Sequence, residues 1–285
     1  MNRVFTIKIC AFLFFIIFNF LFPVNAQKLP NKQETSIYAP AIIKIDGKAT
    51  EWNNKFEAYN NATDIFYTIC NDNNNLYLTV QATDDYIINK LYGSGITFTI
   101  DLSGKKDKKQ AIVITYPVWD KDNKFHANTA AKPTIKPDSP QTVRKADSFM
   151  NVVNRQMNDR SKLIRVNGVK GIDTLISVYN EDGIKAAAAF DNKMIYTLEI
   201  AIALKYLNLD TNNPAKFAYN LKIDPLKGSF DNVTRTQEMR NGHLVTVTHS
   251  LGRRLTAGNP VDDDLLKNIR SATDFSGEYT LAKKP

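Results

Sequence analysis

Alternation of apolar and other residues along many short segments constrains the fold of this chain more than any other feature. Residues 76–80, 96–102, 196–203 and 217–224 each place large apolar side chains at every second position, with mostly polar or small residues between them. A period of two is the pattern of a β-strand that buries one face. The segment 111–116 is apolar on both faces, as expected of a central strand.

Shorter strand candidates are separated by residues typical of turns. These candidates lie at 43–45, 175–179, 184–190, 244–248 and 279–281. Connectors such as Asn71–Asn75 and Asn180–Gly183 are rich in the residues that form tight turns. About ten strands separated by such turn segments favour an antiparallel β-sandwich over repeated strand–helix units. The predicted fold class is therefore mostly β.

One long stretch departs from the strand pattern. Residues 119–142 are polar and contain Pro133, Pro137 and Pro140, which is typical of a long irregular loop. Apolar residues over 143–157 then recur at steps of three and four. This spacing predicts one inserted amphipathic helix that begins near Pro140.

The first 26 residues have the features of a secretory signal peptide. Arg3 and Lys8 precede an apolar stretch from Ile9 to Phe22, and small or medium residues follow up to Ala26. The alternative is a membrane anchor, but the apolar run is shorter than the about 20 residues that cross a bilayer. We therefore predict cleavage after Ala26, export to the periplasm or the extracellular space, and no transmembrane segment in the mature chain.

The mature chain is predicted to form one domain. Residues 27–38 are polar and should be a flexible lead-in, and 39–285 should form a single sandwich with a loop and helix inserted at about 119–160. Cys70 is the one cysteine that remains after removal of the leader. It cannot form an internal disulfide, so we expect it to be a small buried apolar residue.

The charge pattern disfavours nucleic acid as a partner. The formal net charge is +8, and loss of Arg3 and Lys8 with the leader reduces it to +6. The densest basic cluster, Lys105–Lys109, is interrupted by Asp107 and is better explained as the solvated end of a hairpin.

Four groups of short motifs, in this order along the chain, carry a family resemblance. They are Ile43-Lys44-Ile45-Asp46-Gly47 with Glu51-Trp52; Asn75-Leu76-Tyr77-Leu78 with Asp84-Asp85; Gly95-Ile96-Thr97-Phe98-Thr99-Ile100-Asp101; and Tyr196-Thr197-Leu198-Glu199-Ile200-Ala201-Ile202. Over about residues 40–225 the chain resembles family 9 carbohydrate-binding modules and their DOMON-like relatives, including exported bacterial members. The resemblance implies a β-sandwich that holds a sugar end between two exposed Trp rings and carries structural calcium.

The residues of the first motif also have a structural interpretation. Asp46 can accept hydrogen bonds from backbone groups of its own turn, and Gly47 permits a positive φ. Trp52 offers a large apolar face to the edge of a sandwich. This motif therefore predicts fold chemistry rather than ligand contact.

The candidate ligand surface is the region around Trp119, because the first motif accounts for Trp52, the other Trp of the mature chain. An aromatic face can stack on a sugar ring while neighbouring polar groups bind its hydroxyls. The predicted ligand-binding residues are Trp119, Tyr116, Asp120, Asp122 and Phe125. The alternative for Trp119 is a ring that fixes the long loop to the sandwich.

These observations predict a non-catalytic exported module that binds carbohydrate or an envelope glycan. One alternative is an accessory protein that binds an envelope protein through the same loop or the 143–157 helix. Another is a glycan hydrolase with Asp101 and Glu199 as its two carboxyls, against which stands a simple hydrogen-bonding role for both.

Catalytic and metal motifs are absent from the sequence. His126, His243 and His249 have no zinc-site spacing, and there is no phosphate-binding glycine loop or nucleophile motif. We therefore predict no catalytic residues, no metal-ligating residues and no cofactor, apart from the structural calcium that the family resemblance implies.

Overall fold

The computed structural model describes residues 29–285, except positions 54, 103–110, 120–132, 134, 137–138, 213, 215, 227–233, 241–242, 251–252 and 256–269. For residues 85–86, 234–240, 243–250 and 253–255 it describes the backbone alone. In chain order the strands are β1 (Ala58–Asn60), β2 (Ile65–Asn71), β3 (Asn75–Ala82), β4 (Ile96–Asp101), β5 (Ile112–Val118), β6 (Leu163–Asn167), β7 (Leu175–Ser177), β8 (Ile184–Phe190), β9 (Tyr196–Ala203), β10 (Lys216–Ile223), β11 (Thr234–Arg240), β12 (His243–Ser250), β13 (Arg253–Leu255) and β14 (Thr273–Thr280). The helices are α1 (Asp85–Ser94) and α2 (Pro140–Asn158).

The strands form antiparallel sheets, as the alternation predicts. The first sheet has five strands in the order β1-β2-β3-β9-β8, and the second sheet has six in the order β14-β10-β4-β5-β6-β7. Strands β11, β12 and β13 pair in a separate three-stranded sheet. The predicted mostly β sandwich with an inserted helix is confirmed.

The core lies between the first and second sheets, because every second side chain of each strand points into it. The inward residues include, from the first sheet, Ile65, Tyr67, Ile69, Leu76, Leu78, Val80, Leu198, Ile200 and Ile202, and, from the second, Ile96, Phe98, Ile100, Ile112, Ile114, Ile164, Val166, Phe217, Leu221 and Ile223. Each contributes roughly 1.5–3 kcal/mol when such a side chain is fully buried. The predicted central strand is β5, which lies between β4 and β6.

Two buried tyrosines join the sheets through their hydroxyls. The Tyr67 and Tyr219 oxygens lie 2.9 Å apart, and the Gln33 backbone N–H donates to the Tyr67 oxygen at 2.8 Å. Polar groups in a dry core are costly unless they are paired. The pair therefore restricts how the two sheets align.

The outer face of the first sheet is covered by the chain itself. We call residues 37–53 the strap. Its attachment to the edge of β2 is made by backbone hydrogen bonds from Asn71 to Ile37 at 3.2 Å and from Ala39 to Asn71 at 2.8 Å. Strap residues then pack on an apolar cluster that consists of Ala39, Cys70, Tyr77 and Ala201, with Ile37, Ile43, Ile45 and Trp52 against it.

One sequence prediction for this region needs correction. Residues 43–45 are not a strand, because no described strand pairs with them, and Ile43 and Ile45 instead pack onto the first sheet. Within the predicted lead-in, the Gln33 side-chain amide donates to the Ile69 carbonyl at 2.8 Å and accepts from the Ile69 N–H at 2.7 Å. Burial of Cys70 is confirmed, and desolvation raises the pKa of its thiol.

The predicted helix is present as α2, and its buried residues are Ala146, Met150, Val153 and Met157. Helix α1 was not predicted. It begins after Asp84, whose carboxylate accepts the Ile87 N–H at 3.2 Å, and it buries Ile87, Ile88, Leu91 and Tyr92. Neither helix in the described part of the chain has the length and apolar character needed to cross a membrane.

The turn at Gly47 gives a test of how tightly the strap is seated. Gly47 has φ +79°, and a Cβ there would lie 2.4 Å from the Ala188 carbonyl carbon, which is backbone and cannot move aside. Gly171 has φ +82° but has nothing within 4 Å of such a Cβ. We expect Gly171→Ala to destabilise by about 1 kcal/mol through backbone strain alone. Gly47→Ala should cost roughly 1–3 kcal/mol more, the range for overpacking.

Urea denaturation of the two variants measures this difference. Equal losses of stability in the two variants would mean that the strap is loosely seated over β8.

Candidate functional site

A half-open groove lies at one end of the outer face of the second sheet. Its volume is about 210 Å³. It is lined by Gly93, Ser94, Thr97, Thr115, Pro117, Val118, Trp119, Arg165, Asp224 and Pro225. Pockets for drug-sized ligands measure roughly 300–1,000 Å³, so this groove is suited to a single ring or a small polar group.

The floor of the groove consists of outward side chains on three adjacent strands. Strand pairing places Thr97 of β4 opposite Thr115 of β5, and Thr115 opposite Arg165 of β6. Thr97 lies between the buried residues Ile96 and Phe98, so alternation directs it outward. The Thr97 and Thr115 hydroxyl oxygens are 2.9 Å apart. One hydroxyl donates to the other, which leaves one O–H donor and several lone pairs for a ligand.

Trp119 and the end of α1 form one wall. The Trp119 indole Nε1 donates to the Tyr92 carbonyl at 2.7 Å, and the Tyr92 and Trp119 rings meet edge to face with centroids 6.3 Å apart. These contacts fix the indole directly after β5. Because Nε1 is already bonded, Trp119 presents carbon surface to the groove rather than a donor.

The opposite wall follows the end of β10. The Ser94 hydroxyl donates to the Pro225 carbonyl at 3.0 Å, which connects this wall to α1. Asp224 lies beside it, and its carboxylate pairs with the Lys222 ammonium at 2.7 Å. The Lys222 and Asp224 side chains are 43% and 42% exposed, so their ion pair adds little stability. The carboxylate remains able to accept further hydrogen bonds.

The predicted ligand residues differ in where they lie in the structure. Trp119 lines the groove, and it also holds the chain against α1. Tyr116 cannot serve as a second platform here, because alternation turns its ring into the core, where it is 2% exposed with its hydroxyl 3.3 Å from Ser161 Oγ. Asp120, Asp122 and Phe125 lie outside the described residues.

Apart from Trp119, the residues that line the groove were not predicted from the sequence, and they include the polar residues Thr97, Thr115, Arg165 and Asp224. The alternating pattern did mark Thr97 and Asp224 as outward residues of predicted strands. Arg165 lies on β6, which was not predicted, and nothing in the sequence places it beside Thr115.

The two carboxyls considered for hydrolysis do not form a pair. Asp101 is an outward residue of β4 in the second sheet, whereas Glu199 is an outward residue of β9 in the first sheet. They therefore lie on opposite outer faces of the sandwich. Among the described residues, no three His, Cys, Asp or Glu side chains are grouped so that they could hold a metal ion.

Glu199 is the carboxyl most altered by its surroundings. Its Oε2 accepts the backbone N–H groups of Asp46 at 3.0 Å and Gly47 at 2.9 Å, so it fastens the strap to the sheet. Burial raises its pKa from 4.5 to about 7, against the lowering effect of the two N–H donors, and nearby Glu51 adds to the rise. Asp46 accepts the Lys48 N–H at 3.1 Å, which confirms its predicted role in the turn.

Comparison with known proteins yields no family model and no curated protein that matches this chain.

Glu199 should make stability depend on pH. The raised pKa means that the folded state binds the proton more tightly than the unfolded chain, so the free energy of unfolding falls as pH rises from 4.5 to about 7 and then levels off. A rise in pKa from 4.5 to about 7 corresponds to a fall of about 3 kcal/mol. We expect urea denaturation between pH 4 and 8 to show this fall in the wild type and to lose it in Glu199→Gln.

Glu181→Gln is the matched control, because Glu181 is exposed in a turn and the variant retains Glu199. It should keep the wild-type decrease. A wild-type profile that is flat over this range, or a Glu199→Gln profile with the same fall, would contradict the assignment.

Proposed function

We propose that this protein is a non-catalytic exported module that binds a carbohydrate, with an envelope glycan as the candidate ligand. The observation that carries the proposal is the groove, where the Trp119 indole, two threonine hydroxyls, a carboxylate and a guanidinium border one open volume. Export is the expectation set by the 26 N-terminal residues.

The chemistry of the groove matches that of a sugar. A sugar ring has apolar C–H faces and a rim of hydroxyls, so it needs an apolar surface next to donors and acceptors. Trp119 supplies the apolar surface, since its Nε1 is occupied by the Tyr92 carbonyl. Thr97, Thr115 and Asp224 supply hydroxyl and carboxylate groups.

The family resemblance supports the same proposal through those residues of the first motif that have structural roles. The Asp46–Gly47 turn and Trp52 have the fold roles that the motif implies, since Gly47 has a positive φ and Trp52, a strap residue, packs onto the apolar cluster of the first sheet. Because Trp52 is used in packing, Trp119 is the Trp side chain of the mature chain that remains for ligand contact. The groove differs from the two-Trp site of family 9 modules, so the mode of sugar binding proposed here is a one-sided contact.

A protein partner on α2 has weaker support. Among the large hydrophobic residues that are exposed in the described part of the chain, Val152 is the one on α2, and it is 42% exposed. A single exposed apolar side chain is ordinary on a protein surface and does not make an interface patch.

Trp119 gives the first test of the proposal. Isothermal titration against a panel of plant, algal and bacterial envelope oligosaccharides should identify at least one ligand of the wild type. Trp119→Ala should weaken that binding about tenfold or more, because it removes the apolar wall. Thermal melting checks that the variant folds, since Trp119 also packs against Tyr92. No binding to any glycan, or unchanged binding by a folded Trp119→Ala variant, would refute the proposal.

The threonine pair gives a second test that leaves the core untouched. We expect the double variant Thr97→Val with Thr115→Val to keep the shape of the floor and to weaken glycan binding about tenfold, the effect of losing about one hydrogen bond. Thr99→Val is the matched control, because Thr99 is an outward residue of the same strand and does not line the groove. Equal affinities of the double variant and the control would exclude the floor as the binding surface.

A further inference from the structure

We propose that the groove selects a sugar that carries a carboxylate, a uronic acid unit, and that Arg165 is the residue that recognises it. This inference rests on the proposed function, because it names the ligand class of the same groove. It is carried by the arrangement of charges around the floor.

Arg165 is held facing the groove by the sheet. It lies between Ile164 and Val166, which are 0% and 2% exposed and point into the core, so its own side chain must point outward. Strand pairing fixes its backbone on both sides, opposite Thr115 and opposite Leu175. The position of the guanidinium relative to the floor is therefore set by regular secondary structure rather than by a loop.

The Arg165 guanidinium forms no ion pair and no hydrogen bond with any residue that the structure describes. A guanidinium has five N–H donors and no acceptor, and its planar fork matches the two oxygens of a carboxylate. The carboxylate of a uronate thus supplies the partner that Arg165 lacks among the described residues.

The wall of the groove across from Arg165 carries a hydrogen-bond acceptor, the Asp224 carboxylate. Arg165, Thr115, Thr97 and Lys222 form one row across four adjacent strands, so Arg165 and Lys222 are three strand spacings apart, about 14 Å between backbones. Lys222 is paired with Asp224, which lines the groove and can accept hydrogen bonds from sugar hydroxyls. The ligand therefore meets a cation at one side and an acceptor at the other.

This polarity distinguishes three kinds of ligand. A neutral sugar binds the hydroxyl side and leaves Arg165 without a partner. A free inorganic anion can pair with Arg165 but has no hydroxyl to donate to Asp224. A glycan that contains a uronate offers a partner to both sides, because it carries a carboxylate together with hydroxyls.

The experiment uses matched acidic and neutral forms of the same oligosaccharide. Oligomers of galacturonate, glucuronate and mannuronate are each titrated into the mature protein by calorimetry, beside their methyl esters, which keep the sugar and remove the charge. We expect at least one acid to bind ten times more tightly than its ester. Arg165→Gln should abolish that preference, and Arg165→Lys should restore part of it, because lysine keeps the charge without the two-pronged geometry.

Arg144→Ala is the control for loss of a positive charge, since Arg144 is exposed on α2 and does not line the groove. It should keep the preference for the acid. Equal binding of acid and ester, or a preference that survives Arg165→Gln, would overturn the inference. If neutral glycans bind and uronates do not, the inference fails while the proposed function stands. If no glycan of either kind binds, the proposed function fails as well.

Discussion

The alternation of side chains along each strand is the constraint on which the rest of this structure depends. It commits half of the residues of both sheets to the shared core, where Tyr67 and Tyr219 are paired across the interior. What remains to differ between the two sheets is the outer face of each. The strap covers that face of the first sheet, whereas the second sheet exposes Arg165 and partly exposes Thr97 and Thr115. The groove proposed as the ligand site lies on this exposed face.

The strap stays in place through polar as well as apolar contacts. Apolar packing is not directional, so the contacts of Ile43, Ile45 and Trp52 do not by themselves fix the position of the strap on the sheet. Glu199 fixes that position, because one of its carboxylate oxygens accepts two adjacent N–H groups at the Gly47 turn. A perturbed carboxyl is often taken as a sign of catalysis. Here the raised pKa of Glu199 has a structural origin, because the residue lies beneath the strap and away from the groove.

The sequence was sufficient for features that are encoded locally. Most strands follow from alternation, α2 follows from its apolar spacing, and the positive φ of Gly47 follows from its motif. Helix α1 has a comparable local signal, with Asp84 as a cap and apolar residues on one face. The floor of the groove could not be predicted in this way. Thr97, Thr115 and Arg165 become neighbours through pairing of strands that are distant in sequence, and no local pattern encodes that register.

The two interpretations of Trp119 are compatible, because the contacts that fix the indole also leave it lining the groove. A ring that was free to rotate would lose that freedom on binding, which weakens affinity. The Tyr92 carbonyl bonds to the indole Nε1, and the Tyr92 ring packs against it, so the wall is ordered before a ligand arrives. The floor is ordered by the sheet in the same sense, through the Thr97–Thr115 hydroxyl pair. The contact that fixes the chain to α1 is therefore also the contact that orders one wall of the proposed binding surface.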